Sequence, residues 1–217
     1  MNPPSRQSRR FGWKSIAAAV LVFAIPITVI TTSNSAPQEE YTPPDGWTGK
    51  VVLAELFTGS ECPPCLGADL GFDRLLEHFP NSALAVLQYH EHVPLPDPMA
   101  NPHTRTRIDY YGARGTPSVY IDGRGLPLGG GSADAADRLY EAYRNGGRRI
   151  ALLDTIERQL IEAPQLEIEL NARRSGSSLS VTAGVRALEN LEERAGLRLH
   201  IALVERQLDY RGHNGLP

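Results

Sequence analysis

The chain has 217 residues, 41% apolar and 22% charged, with 17 Pro and 20 Gly, the composition of a turn-rich globular protein and not of a coiled coil or a disordered tail. Its length accommodates one ordinary domain and a second small or incomplete one. A formal charge of -3, with basic residues scattered singly or in pairs such as Arg148-Arg149 and Arg173-Arg174, leaves no stripe able to track a phosphate backbone and argues against a nucleic-acid partner.

Arg6, Arg9, Arg10 and Lys14 precede an uncharged stretch, 15–38, whose apolar centre is 16–30. That is the order of a basic n-region followed by an h-region. Residues 33–36 are small and polar enough for a cleavage zone, although they contain no clean A-x-A. The expected division is an export segment over 1–36, either a cleaved signal peptide or an uncleaved anchor, since a bilayer span needs about 20 apolar residues. Arg9-Arg10 also suits twin-arginine export. Either way the rest of the chain is expected outside the cytoplasm: periplasmic, secreted, or held at the outer face of the cytoplasmic membrane through this segment alone. Residues 37–48, rich in Pro, Glu and Gly, read as a linker.

Structure is expected from 49 onward. The run 50–57, Lys-Val-Val-Leu-Ala-Glu-Leu-Phe, is nearly continuous in apolar residues and predicts a buried central strand. Leu66, Leu70, Phe72, Leu75, Leu76 and Phe79 recur at helical spacing, predicting a helix over 65–79 that Pro80-Asn81 stops. Residues 83–89 predict a second buried strand. Four prolines bar regular structure from most of 90–103, a loop long enough to suggest function. A helix over 101–111 follows, then a strand over 118–123 ending in Asp122-Gly123, an edge strand over 126–129, and a last helix from a Ser132 cap through Tyr143. The fold class is therefore α/β. After an amphipathic stretch, 150–161, the alternations Leu166/Ile168/Leu170 and Leu179/Val181/Ala183/Val185 predict a hairpin, and 197–203 one more strand. Three strands cannot bury an apolar face alone, so 149–217 is expected to be a β-rich, incomplete domain and the chain a fragment.

Chemistry centres on Cys62-Pro63-Pro64-Cys65, where a buried strand has ended and a helix begins. Unpaired N–H groups and the macrodipole at a helix start favour an anion, so Cys62 is the expected nucleophile and Cys65, one turn on, the resolving thiol. Pro63 and Pro64 have no N–H and remove two donors from the Cys62 thiolate; Glu61 adds a negative charge. A Cys62 pKa near 7 is expected, not the roughly 3.5 of a strong oxidant. Other readings of the pair are a structural disulfide, although so short a loop restrains the unfolded chain little, or half of a metal site.

Taken with the later Arg114-Gly115-Thr116-Pro117-Ser118-Val119-Tyr120-Ile121-Asp122-Gly123, these cysteines give residues 50–143 a resemblance to the thioredoxin-like superfamily, and Glu55-Leu56-Phe57-Thr58 with Tyr89-His90-Glu91-His92 look like its secreted bacterial branch. The resemblance implies a thioredoxin-like three-layer sandwich over 49–148 with a redox-active centre at Cys62 and Cys65. It also implies a cis peptide at Thr116-Pro117, and a substrate chain paired with the Thr116 backbone beside Pro117, Pro63 and Pro64. The activity implied is reduction or isomerisation of protein disulfides, with protein thiols and an unidentified redox partner, and without a cofactor. Two departures stand out: Glu61 replaces the tryptophan usual before the first cysteine, and Leu56 stands where thioredoxins keep a buried acid. Glu55 and His90 are the candidate proton relays, Glu55 weakened by its opposite strand parity. An alternative of another class is a Cu(I) metallochaperone using Cys62, Cys65, His90 and His92; a third is a degenerate scaffold serving as an interaction module.

Overall fold

The computed structural model describes residues 41–127, 129–140, 143–145, 148–189, 196–206, 208 and 210–212, all within the unit Glu40–Pro217. The expected export segment, and the start of the linker, lie outside the described residues. Among those described, no helix is long and apolar enough to cross a membrane.

The protein is a mixed α/β structure built on a four-stranded sheet in the order β2-β1-β3-β4. Strand β1 (Val52–Thr58) is central. It runs parallel to β2 (Leu84–His90), pairing Val52 with Leu84 through Thr58 with His90, and antiparallel to β3 (Ser118–Ile121), pairing Ala54 with Ile121 through Phe57 with Ser118. Only Leu53 of β1 keeps appreciable exposure, which explains its unbroken apolar run: a strand covered on both faces has no polar parity to show.

Helix α1 (Leu66–His78) buries Ala68, Phe72 and Leu75 against Val52, Ala54 and Leu56 of one sheet face. Two later helices join that core, α3 (Ala136–Tyr140) through Leu139 and α4 (Leu152–Leu160) through Leu152, Ile156 and Leu160. The amphipathic stretch at 150–161 thus completes the core of the preceding α/β body. Helix α2 (Pro102–Tyr111) starts at an Asn101 capping box and ends on Gly112 in the left-handed region, φ 62°. It covers the other sheet face, where Phe57 meets Tyr111 with ring centroids 5.8 Å apart.

Three expected elements are corrected. The edge strand β4 is Arg124–Leu126, not 126–129. The Asp122-Gly123 turn, with φ of 45° and 77°, is a tight two-residue connection that sets Ile121 directly opposite Arg124. The last helix of the α/β region, Ala136–Tyr140 among the described residues, does not include Tyr143, which lies in a strand. Ser132 opens a 3-10 turn, Ala133–Ala135, without capping a backbone N–H, and its hydroxyl bonds to the Asp134 side chain instead. Tyr143–Asn145 (β5) pairs with Arg148–Ile150 (β6) across the Asn-Gly-Gly signal that the sequence offers as a helix stop. The expected hairpin forms as β7 (Leu166–Ser175) and β8 (Ser178–Ala187), with Ile168 opposite Val185 and Leu170 opposite Ala183 on one exposed apolar face. No strand forms at 197–203: its alternating Leu197, Leu199 and Ile201 stay half exposed, because an extended segment becomes a strand only by joining a ladder.

One charge pair is built into the sheet. Glu55 is fully buried and held by the Arg107 guanidinium at 2.8 and 3.0 Å, while the Tyr111 hydroxyl donates to it at 2.5 Å. Burial and then the Glu55 charge push the Tyr89 phenol up to about 12, and burial and then the hydrogen bond to Glu55 push Tyr111 up as well. Removing one partner of a buried pair leaves the other charge uncompensated. Arg107→Ala is therefore expected to cost about 3–5 kcal/mol, read as a lower midpoint in urea denaturation at unchanged slope.

Candidate redox site

Beyond Thr58 the chain leaves β1, and the 3-10 turn Pro63–Cys65 leads into α1. Cys62 and Cys65 form a disulfide with Cα atoms 5.3 Å apart. Pro63 and Pro64 are exposed, whereas Cys65 is fully buried and Cys62 is 2% exposed. The pair lies at the edge of the sheet where the parallel strands β1 and β2 both end.

Four backbone donors around the sulfurs are spent within the protein. Cys62 N–H donates to the Gly59 carbonyl at 3.1 Å, Cys65 N–H to the Cys62 carbonyl at 3.0 Å and Gly67 N–H to the Gly131 carbonyl at 2.8 Å; Leu66 N–H reaches the Pro63 carbonyl. With Pro63 and Pro64 lacking an N–H, the helix start offers the Cys62 sulfur little. What does reach it is Thr116, whose hydroxyl donates to Cys62 Sγ at 3.4 Å and whose carbonyl oxygen lies 4.0 Å away. The Thr116-Pro117 peptide is cis.

Two further segments hold the turn. Gly130 is wedged between Pro64 and Pro117: a Cβ there would come within 1.8 Å of the Pro64 carbonyl oxygen and 2.8 Å of Pro117 Cγ. Gly131 N–H donates to that same oxygen at 2.6 Å. On the opposite side Gly59 lies against the Glu91 and Val93 carbonyls and Cys62 Cβ, where a Cβ would meet them at 3.0, 3.2 and 3.6 Å. The proline loop therefore packs on the cysteine turn. Gly212 also approaches it, a Cβ at that residue falling 2.2 Å from the Ser60 carbonyl oxygen.

His90 and His92 are tied to Asp97, a residue that no sequence motif singles out. Asp97 Oδ2 accepts from Ser60 N–H at 2.7 Å and from His90 Nδ1 at 2.9 Å, Oδ1 accepts from Met99 N–H at 2.8 Å, and Asp97 N–H donates to His92 Nδ1 at 3.0 Å. Burial disfavours the carboxylate, but the bonds from Ser60, His90 and Met99 outweigh it and hold Asp97 below the usual carboxylate range. His90, Glu91 and His92 also line an open cavity of about 490 Å³ together with Asn101, Arg105 and Ile108. Among the described residues, no group of three or more His, Cys, Asp or Glu is arranged to hold a metal ion.

Glu55 belongs to the α2 face with Arg107 and is not gathered with the cysteines. The buried acids on the cysteine side are instead Glu61 and Asp69, beside Asp97 of the proline loop. Asp69 stands one helical turn after Cys65, and the Thr58 hydroxyl donates to it at 2.6 Å. The signals for these further residues are faint: Asp97 between two prolines is an Asx-turn residue, which its bond to Met99 N–H realises, and Gly129-Gly130-Gly131 marks a close backbone approach.

Gly130→Ala drives a methyl into a backbone carbonyl. It is expected to cost about 1–3 kcal/mol in thermal or urea unfolding, whereas Gly115→Ala, with open space at its Cβ, stays within about 0.5 kcal/mol.

Comparison with models of protein families, with curated proteins and with solved structures finds no match to this chain.

Proposed function

We propose that the protein is an extracytoplasmic thiol-disulfide oxidoreductase of thioredoxin-like architecture that reduces or isomerises protein disulfides through Cys62 and Cys65. The observation that carries this reading is the bridged pair at a strand-to-helix junction with Thr116 against the Cys62 sulfur. The sheet order β2-β1-β3-β4, with α1 and α2 on opposite faces, supports the architecture.

In the reducing direction the Cys62 thiolate attacks one sulfur of a substrate disulfide. A mixed disulfide forms, and the other substrate sulfur leaves as a thiolate that takes up a proton. Cys65, deprotonated, then attacks Cys62 Sγ, forms the Cys62–Cys65 disulfide and expels the second substrate thiolate. Two electrons pass from the protein dithiol to the substrate, and an external dithiol partner must return them. Asp69 is the carboxylate we assign to receiving the Cys65 proton, since residues four apart on a helix share a face. Thr116 contributes its hydroxyl to the Cys62 sulfur and its backbone to an extended substrate segment. The copper reading draws no comparable support: among the described residues, no group of three or more His, Cys, Asp or Glu is arranged to hold a metal ion.

The test is capture. Cys65→Ser is expected to accumulate a mixed disulfide between Cys62 and a peptide disulfide, visible by mass spectrometry, while Cys62→Ser forms none and loses insulin reduction entirely. Insulin reduction that survives in Cys62→Ser would end the proposal.

A further inference from the structure

Asp97 has no part in the disulfide exchange, yet both of its carboxylate oxygens are engaged. Its side chain is fully buried and accepts from two backbone N–H groups and one imidazole. One of those N–H groups belongs to Ser60, two residues before Cys62. The carboxylate thus ties the cysteine turn to the proline loop at the place where Gly59 packs against Glu91 and Val93.

That bond has an electrostatic side. Ser60 N–H is a backbone donor on the turn leading to Cys62, and Asp97 consumes it. The charge stays close by: among the described residues, no Lys or Arg forms an ion pair with Asp97, and His90 is its one ion-pair partner. The groups around the turn are acids and imidazoles, with Arg211 on the segment whose Gly212 lies against Ser60. Glu61 is on the same turn and Asp69 on α1, both buried; His90 and His92 come from the proline loop, each turning Nδ1 to Asp97; the segment before β3 brings the uncharged Thr116.

Resting on the redox reading, we infer that Asp97 is a positioning residue that sets the ionisation of Cys62. It withholds the Ser60 N–H from the sulfur and fixes a negative charge behind the turn. Both effects disfavour the thiolate, and a disfavoured thiolate makes the dithiol the better reductant. A merely structural Asp97 would change stability and leave the ionisation of Cys62 alone.

The reduced full-length protein and its Asp97→Asn variant, nearly equal in size but without the charge, are titrated by thiolate absorbance. The variant's Cys62 midpoint is expected to fall by about one unit, a tenfold gain in thiolate fraction below the midpoint. A folded variant whose midpoint is unmoved or raised overturns the assignment. In the wild type, the Ser60 amide is expected to exchange slowly with deuterium in both redox forms; rapid exchange in either overturns the assignment, and this measurement decides the matter should the variant not fold. A wild-type pair that never exchanges with glutathione removes the redox reading, whereas one that exchanges while Asp97→Asn leaves its midpoint unchanged removes only the role of Asp97.

Discussion

The structure around the disulfide depends on how the turn between β1 and α1 is clamped. Strand β1 is hydrogen-bonded on both sides, so its end at Thr58 is fixed in space and residues 59–65 have little freedom. Asp97 holds Ser60, the Gly130-Gly131 segment holds Pro64, and Thr116 closes on Cys62 Sγ. Three segments far apart in sequence thus converge on a few consecutive residues. Convergence of this kind is what preorganises a reactive side chain, because the geometry is over-determined by packing and backbone bonds and does not rest on the side chain itself.

The clamp has a chemical consequence. A helix start ordinarily offers free N–H groups to an anion, but here two positions are proline and the neighbouring donors are satisfied by backbone carbonyls. The buried acids nearby are Glu61, Asp69 and Asp97. On the other face of the sheet the sign is balanced, since Glu55 is met by Arg107. The same sheet therefore carries the Glu55–Arg107 pair on one face and three buried acids beside the cysteines on the other. Both trends work against the Cys62 thiolate, leaving the Thr116 hydroxyl as a compensating donor.

Much of this is legible in the sequence, for physical reasons. The unbroken apolar run of β1 and the 3.6-residue spacing of Ala68, Phe72 and Leu75 reflect burial, which is written directly into residue type. The cysteine turn is legible because proline and cysteine are restrictive residues. Long-range partners are not. Whether Glu55 faces the cysteines or α2 depends on which helix covers which face, and Arg107, more than fifty positions away, decides it. In sequence Asp97 is one more polar residue on a proline-rich loop, because nothing local announces that a carboxylate will reach Ser60. At 197–203 the failure runs the other way: alternation suggests a strand, although a strand also needs a neighbour, and this segment has none in register among the described residues.

A reversible Cys62–Cys65 couple with a weakly stabilised thiolate is the central claim, and equilibration with glutathione tests it most directly. The full chain, incubated across a range of reduced-to-oxidised glutathione ratios and quenched with acid, is expected to interconvert completely between dithiol and disulfide. Its midpoint should lie near the thioredoxin value of about -270 mV, well below the roughly -120 mV of a strong oxidant. A pair that stays oxidised at every ratio, or titrates near the oxidant's value, would contradict the claim.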